Sequence, residues 1–73
     1  MEHYHGYYIL HDYERDCYII DTEGCGFRPT WDVFKATRFD TIDDALDWKV
    51  QIEEDGYCLE ILFVEVNIKE VKD

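Results

Sequence analysis

The sequence predicts an α+β fold, in which one helix packs on one face of an antiparallel sheet of three to four strands in the order β-β-(β)-α-β. Three observations predict this class: a capped amphipathic helix within residues 39–57, a long apolar strand at residues 57–68, and two aromatic, β-branched runs near the start of the chain. Because the chain has only 73 residues, residues 1–73 are expected to form a single domain.

The helix has recognisable ends. Thr41 followed by Asp44 has the spacing of a capping box, in which side chains satisfy the first free amides of a helix. Gly56 favours the left-handed conformation that ends a helix, which predicts about 14 helical residues over roughly 21 Å. At about 100° per residue, one side of this helix is apolar and the other is acidic. The apolar side comprises Ile42, Ala45, Leu46, Trp48, Val50 and Ile52, and the acidic side comprises Asp43, Asp44, Asp47, Glu54 and Asp55.

Strands are predicted before the helix as well as after it. Residues 7–11 and 17–21 are rich in aromatic and β-branched residues and are joined by a polar segment, which predicts a hairpin. A loop is expected at residues 28–29, where a proline follows an arginine. Residues 31–35 are compatible with a short helical turn or the start of a strand, and residues 36–39 are predicted to form a short third strand.

Residues 57–68 show the strongest strand pattern in the chain and are predicted to form the central strand. Both faces of this strand are apolar, as are those of the first hairpin, whereas a single helix covers only one face of a sheet. We therefore expect an exposed apolar patch that binds a partner or a second copy of the chain. The predicted members of the patch are Tyr8, Leu10, Leu62, Val64 and Val66, and the aromatic candidates for partner contact are Tyr8 and Tyr18.

Charge excludes several classes of partner. Eighteen acidic against seven basic residues give a formal net charge of −11, which repels nucleic acid and anionic membranes and attracts basic surfaces. No apolar run approaches the roughly 18 residues that span a bilayer, and no signal peptide opens the sequence. We expect a cytoplasmic protein with reduced thiols, no direct nucleic-acid binding and no membrane insertion.

No group of residues indicates a catalytic or cofactor site. Pairs of carboxylates occur by chance in a chain this acidic, and no glycine-rich loop precedes the helix to hold a phosphate. The candidate metal ligands lack the short cysteine spacing of structural zinc sites, so free thiols and surface histidines are expected, with a metal-binding module as an alternative. These ligands are His3, His5, His11, Cys17, Cys25 and Cys58. The protein is predicted to be non-enzymatic, without a cofactor or a bound metal.

The acidic side of the helix is the one feature that favours a specific activity. Its carboxylates span about 18 Å, or one charge per roughly 4 Å, which approaches the roughly 3.4 Å between phosphates along a DNA strand. We expect this row to imitate a phosphate backbone and to bind a basic protein that itself binds nucleic acid. The alternative role of such a row is to keep the protein soluble.

Residues 36–46, after a tyrosine-rich hairpin and before a closing strand, resemble small phage-type proteins of strand-strand-helix-strand build, some of which are anti-CRISPR or other anti-defence inhibitors. The hairpin, the Gly24-Cys25 pair and the helix start at residues 40–46 are also similar to HicB-type antitoxins. That family has a proline-containing segment before its Gly-Cys pair, where this chain has residues 21–23, and many members carry a DNA-binding domain that this sequence lacks. Both resemblances imply a non-enzymatic inhibitor that binds another protein: an anti-defence protein that blocks a basic effector, or an antitoxin that neutralises a small basic toxin.

Overall fold

A computed structural model describes residues 6–23 and 26–66 of the chain. This part contains one α-helix and four antiparallel strands, which confirms the predicted α+β class. The strand order in the sheet is β3-β2-β1-β4, and α1 packs on one face of it. In chain order the elements are β1 (Gly6–Asp12), β2 (Cys17–Asp21), β3 (Phe27–Thr30), a turn of 3-10 helix (Val33–Lys35), α1 (Ile42–Glu53) and β4 (Leu59–Glu65).

β1 and β2 form the predicted hairpin, and Asp12 fixes its turn. Asp12 Oδ1 accepts hydrogen bonds from the backbone N–H groups of Glu14 and Arg15, both at 2.9 Å. Asp12 Oδ2 accepts a further hydrogen bond from the Arg15 guanidinium at 2.7 Å. Asp16 ends the turn with a φ of 54°, a left-handed conformation that aspartate tolerates better than most residues.

The two hairpin strands separate beyond this turn, and residues 37–39 lie between them. Phe39 exchanges two backbone hydrogen bonds with Tyr8, each 2.8 Å long, and Thr37 N–H donates to Ile19 C=O at 3.0 Å. The predicted third strand in this segment is thus reduced to a single bridge residue. The direct pairs of β1 and β2 are His11 with Tyr18 and Asp12 with Cys17.

The prediction of a loop at residues 28–29 is wrong, because these residues belong to β3. Pro29 lies opposite Ile19, whose C=O points to Thr37 and therefore away from β3. This pair carries no ladder hydrogen bond, so the missing N–H of Pro29 faces the free edge of the sheet. A proline at such a position costs no backbone hydrogen bond, which permits an edge strand here.

The prediction that residues 57–68 form the central strand is wrong as well. Among the described residues, β4 pairs with β1 alone and lies at an edge of the sheet, whereas β1 and β2 are the inner strands. Both faces of β4 are apolar because Ile61 packs against the core beneath α1, while Leu62 lies opposite Ile9 on the other face. Residues 67–68 lie outside the described residues.

The apolar patch predicted for one face of the sheet is divided between both faces. Tyr8 and Leu10 project toward α1, and Leu10 is fully buried in the core there. Leu62 and Val64 project from the opposite face and are half-buried, and the exposed Val66 follows β4. The patch therefore does not exist in the predicted form.

α1 begins as the sequence predicts and ends slightly earlier. Thr41 Oγ1 accepts a hydrogen bond from Asp44 N–H at 3.2 Å, which is half of the expected capping box. The helix has 12 residues, because the N–H groups of Asp55 and Gly56 each bond to the carbonyl three residues back and tighten the last turn. Gly56 then adopts a φ of 94°, the left-handed conformation expected of it.

The core lies between α1 and the sheet. From the apolar side of the helix predicted by sequence, only Ala45 and Ile52 are fully buried, whereas Ile42, Leu46 and Val50 remain 49%, 43% and 59% exposed. The apolar side is wider than the surface that four short strands cover, so part of it stays in contact with water. The buried core residues are Leu10, Ile19, Phe39, Ala45, Ile52 and Leu59.

Candidate protein-binding surface

Acidic residues occupy both ends of α1. Asp43 and Asp44 lie in its first turn, where the positive end of the helix dipole stabilises them, and Asp47 follows one turn after Asp43. Glu54 is the C-cap residue, and Asp55 follows in the next turn. All five carboxylates predicted to contact a partner are exposed.

These carboxylates form two clusters instead of an evenly spaced row. At about 1.5 Å per residue, Asp47 and Glu54 are about 10 Å apart along the helix axis, with the exposed Val50 between them. A spacing close to that of phosphates is therefore found only within each cluster. The N-terminal cluster comprises Asp43, Asp44 and Asp47, and the C-terminal cluster comprises Glu54 and Asp55.

No basic side chain within residues 6–23 and 26–66 forms an ion pair with these carboxylates. Lys49, on α1 itself, pairs with Glu53 at 2.8 Å. Arg28 projects from the face of the sheet opposite α1, and Arg38 stacks 4.5 Å from the centre of the Tyr7 ring on that same face. The described basic residues therefore leave the negative field beside α1 without a neutralising partner.

A cavity of about 580 Å³ opens beside the C-terminal cluster, where α1 approaches the end of β2 and the start of β3. Ile52 is the buried part of its lining, and the rings of Trp48 and Phe27 are half-buried in it. Its exposed parts carry three carboxylates, those of Asp21, Glu54 and Asp55.

This combination of aromatic rings and carboxylates is suited to an organic cation. Tryptophan is the strongest cation–π partner among the side chains, and carboxylates add charge-assisted hydrogen bonds to an ammonium or guanidinium group. A lysine or arginine side chain of a protein partner therefore fits the cavity better than an anion does. Sequence reasoning missed this site, because no spacing connects Trp48, Phe27 and Asp21, which come from three different elements.

The two tyrosines predicted to contact a partner lie on opposite faces of the sheet. Tyr8 is half-buried on the side of α1, with its ring centre 5.1 Å from that of Phe63. Tyr18 is half-buried on the other face, with its ring centre 5.1 Å from that of His11. The structure does not bring them together, and one flat partner surface cannot contact both.

The most exposed aromatic side chains of the described residues lie in the segment around the 3-10 turn. Trp31 is 70% exposed and Phe34 is 78% exposed. Asp32 Oδ1 accepts a hydrogen bond from Phe34 N–H at 3.0 Å and begins the turn. Because tryptophan is enriched among residues that dominate binding energy at protein interfaces, this turn is a second candidate contact.

His11 makes two structural contacts. Its Nδ1 lies 2.8 Å from Glu60 Oε1, and its Nε2 lies 2.9 Å from Asp16 Oδ1. Burial alone would lower the pKa of His11, but the hydrogen bonds and charges of the two carboxylates raise it above its usual value. The ring therefore links the hairpin turn to β4.

The described cysteines are free thiols, and Cys17 is fully buried while Cys58 is half-buried. Burial raises the pKa of both thiols, which disfavours the reactive thiolate. Within residues 6–23 and 26–66, no three potential metal ligands come close enough to hold an ion. The other candidate ligands lie outside those residues: His3, His5 and Cys25.

Comparisons of the chain with protein-family models, with curated proteins and with solved structures find no match. Among the described residues, α1 is too short and too polar to cross a membrane.

Proposed function

We propose that this protein is a non-enzymatic inhibitor that binds a basic surface of a nucleic-acid-binding protein. The observation that carries the proposal is the set of exposed carboxylates at both ends of α1, which have no ion-pair partner among the described residues and adjoin a cavity suited to a cation. A net charge of −11 adds a long-range attraction to any basic target.

Inhibition follows from competition for the same basic surface. A protein that binds nucleic acid presents lysine and arginine side chains to phosphates, and the two acidic clusters offer those side chains an alternative partner. The cavity lined by Trp48, Phe27 and Asp21, called the Trp48 cavity below, receives one of these cations. This contact fixes the position of the partner, which the long-range attraction alone does not. Such an interface weakens as salt is added, because exposed charges are screened.

We further propose an anti-defence role in the cytoplasm of a host cell, supported by the resemblance of residues 36–46 to small phage-type inhibitors. A basic nucleic-acid-binding effector is the expected target. A small basic toxin as the captured target would instead support the antitoxin interpretation.

The test compares three versions of the chain as bait in host-cell extract. The acid-depleted variant carries Asp43→Asn, Asp47→Asn and Glu54→Gln. A control variant loses the same charge elsewhere, through Glu14→Gln, Glu23→Gln and Glu65→Gln, at exposed positions without an ion pair among the described residues. We expect a basic protein that the parent and the control capture and that the acid-depleted variant does not.

The purified target is then incubated with a labelled DNA or RNA duplex, and the parent chain is titrated in. Displacement of the duplex by the parent and by the control, but not by the acid-depleted variant, is the expected result. Equal capture by all three versions, or capture without displacement, would contradict the proposed function.

A further inference from the structure

The two edges of the sheet differ in how well they are protected from pairing with another strand. At one edge, β3 has four residues and contains Pro29, whose missing N–H faces outward. At the other edge, β4 has seven residues and contains neither proline nor lysine. Folded proteins usually protect an edge of this length with proline, lysine, a bulge or a covering segment. The β4 edge therefore lacks the protection that proline or lysine would provide.

Hydrogen bonding shows which groups of β4 face outward. Tyr8 exchanges both of its backbone hydrogen bonds with Phe39, on the side of β1 away from β4. The Tyr8–Phe63 pair is therefore one of the non-hydrogen-bonded pairs of the β1–β4 ladder, and the N–H and C=O of Phe63 point out from the free edge. By alternation, the same holds for Ile61 and Glu65. Within residues 6–23 and 26–66, no backbone group pairs with these three residues from the outer side.

Apolar side chains flank this edge. Phe63 is 49% exposed, and its ring lies over Gly6, where a Cβ atom would overlap it. Trp48 lines the cavity beside β2 and β3, so the opposite side of α1, which carries Glu53, is turned toward β4. Leu46 lies on that same side, two turns before Glu53. Ile42 lies there too, one turn before Leu46. Each is nearly half exposed, so the edge is bordered by an apolar strip on the helix side.

We propose that the free edge of β4 pairs with β4 of a second copy of this chain. The two strands run antiparallel about a two-fold axis at Leu62, so that the two four-stranded sheets become one continuous sheet with both helices on the same face. In this register Ile61 exchanges hydrogen bonds with Phe63 of the second copy, and the reverse pair forms by symmetry. The outward-facing residues of one copy therefore meet the outward-facing residues of the other.

The sequence of β4 is complementary to itself in this register. Glu60 lies opposite Val64 of the second copy, and Glu65 lies opposite Leu59, so no two glutamates face each other. The flank supplied by Ile42, Leu46 and Phe63 is apolar, and of the carboxylates that suit a basic partner only Asp43 borders it. A second copy therefore matches this edge better than a basic protein does.

Charge gives the dimer a recognisable salt dependence. Two chains of net charge −11 repel each other, so added salt should strengthen the dimer, whereas it should weaken binding to a basic target. A paired strand of seven residues is about 23 Å long. The area buried by one such pair of strands is at the small end of the range for specific protein interfaces. We expect a dissociation constant on the order of micromolar or weaker. The opposite responses to salt separate this inference from the proposed function, on which it does not depend.

Sedimentation equilibrium of the full chain at about 0.05 M and about 0.5 M salt tests the proposal. The parent should form dimers at high salt, with a dissociation constant several-fold lower than at low salt. Phe63→Lys and Leu46→Lys should each weaken the dimer at least about tenfold, since each places a cation in the apolar flank. The matched controls are Phe34→Lys, on the exposed 3-10 turn, and Gln51→Lys, on a side of α1 turned away from β4; both should dimerise like the parent.

Amide hydrogen exchange gives a second readout that does not require a substitution. The N–H groups of Ile61 and Phe63 should exchange quickly at low protein concentration and slowly at high concentration, while those of Leu62 and Val64 stay protected throughout. If Phe63→Lys does not fold, the parent, Leu46→Lys and the exchange data still decide. A parent that remains monomeric at both salts, or a dimer that only Phe34→Lys disrupts, would overturn the proposal.

Discussion

Asp12 is a fully buried carboxylate at the start of the hairpin turn. Burial alone would raise the pKa of Asp12, but the hydrogen bonds from Arg15 and Glu14 and the charge of Arg15 hold it below its usual value. The Arg15 guanidinium also lies 4.7 Å from the centre of the Tyr57 ring. The ionised form of Asp12 therefore joins the turn to the segment that follows α1.

Asp12→Ala should lower the free energy of unfolding by about 2–4 kcal/mol, because two backbone amides and a guanidinium lose their acceptor. Asp12→Asn is the matched control, since it keeps an oxygen for the two amides and loses only the charge and the acceptor of the Arg15 guanidinium. Urea unfolding of both variants measures the difference, and Asp12→Asn should retain more stability. A loss below about 1 kcal/mol for Asp12→Ala would contradict this role of the buried carboxylate.

His11 should make the stability of the fold depend on pH. Because the pKa of His11 is raised by Asp16 and Glu60 in the folded state, the protonated ring stabilises the fold. This contribution is fully present below the unfolded pKa of about 6.5 and is lost as the pH rises through the higher folded value. The urea midpoint of the parent should therefore fall more between about pH 6 and about pH 9 than that of His11→Gln. Parallel pH profiles for the two proteins would rule out this contribution.

Local contacts of single residues can be predicted from sequence, and distant ones cannot. The bond between Thr41 and Asp44 spans three positions and follows from helix geometry, so the capping pattern identifies it. The contact between His11 and Glu60 spans 49 positions and depends on the register of β1 with β4. No pattern in the sequence gives that register.

At the scale of the elements, α1 carries acidic residues at the end where its dipole disfavours them. Asp43 and Asp44 suit the N-terminus, but Glu54 and Asp55 lie at the C-terminus, and the last turn has no basic residue. An arrangement that costs stability is expected where charges serve recognition. The C-terminal cluster is therefore the part of the acidic surface that solubility alone explains least well.

The double substitution Glu54→Gln and Asp55→Asn should raise the melting temperature by about 2–5 °C, because it removes the unfavourable interaction with the dipole. The matched control, Asp43→Asn with Asp44→Asn, removes the same charge from the favourable end and should lower the melting temperature. Thermal unfolding at low salt measures both, and the effects should shrink at high salt. A decrease for the C-terminal pair would show that its carboxylates make stabilising contacts.

Strong, local patterns predicted the elements, and exceptions to propensity rules were missed. The hairpin, the start of α1 and the strand after it all follow from periodicity and capping. β3 was missed because proline argues against a strand unless its missing N–H faces outward, which depends on the neighbouring strand. The bridge at Phe39 replaced a third strand because the gap between β1 and β2 accommodates only a short segment.

At the scale of the whole molecule, the surfaces proposed for different partners are separate. The acidic clusters and the Trp48 cavity lie on one part of α1 and beside β2 and β3. The free edge of β4 and its apolar flank lie on the side of α1 turned toward β4, where only Asp43 of the acidic clusters borders them. A dimer formed through β4 would therefore present two acidic surfaces to targets.

The candidate site could be predicted from sequence only in part. The five carboxylates are exposed because helical periodicity separates them from Ala45 and Ile52, which the sequence shows directly. The cavity could not be predicted, because it forms where residues from three elements that are distant in the sequence come together. The apolar patch was assigned to one face in error, because the alternation within a strand is fixed, whereas the register that matches Tyr8 and Leu10 to the residues of β4 is not.

Titration of the captured target with parent, acid-depleted and control versions of the chain, each at low and high salt, tests the central claim most directly. The acid-depleted variant, with Asp43, Asp47 and Glu54 neutralised, should bind more weakly than the parent by about 1 to 3 kcal/mol at low salt, since each exposed charge pair contributes up to about 1 kcal/mol. The control should bind within about 0.5 kcal/mol of the parent, and the differences should narrow at high salt. Equal affinity of all three proteins with a flat salt dependence would show that the carboxylates beside α1 do not recognise the target.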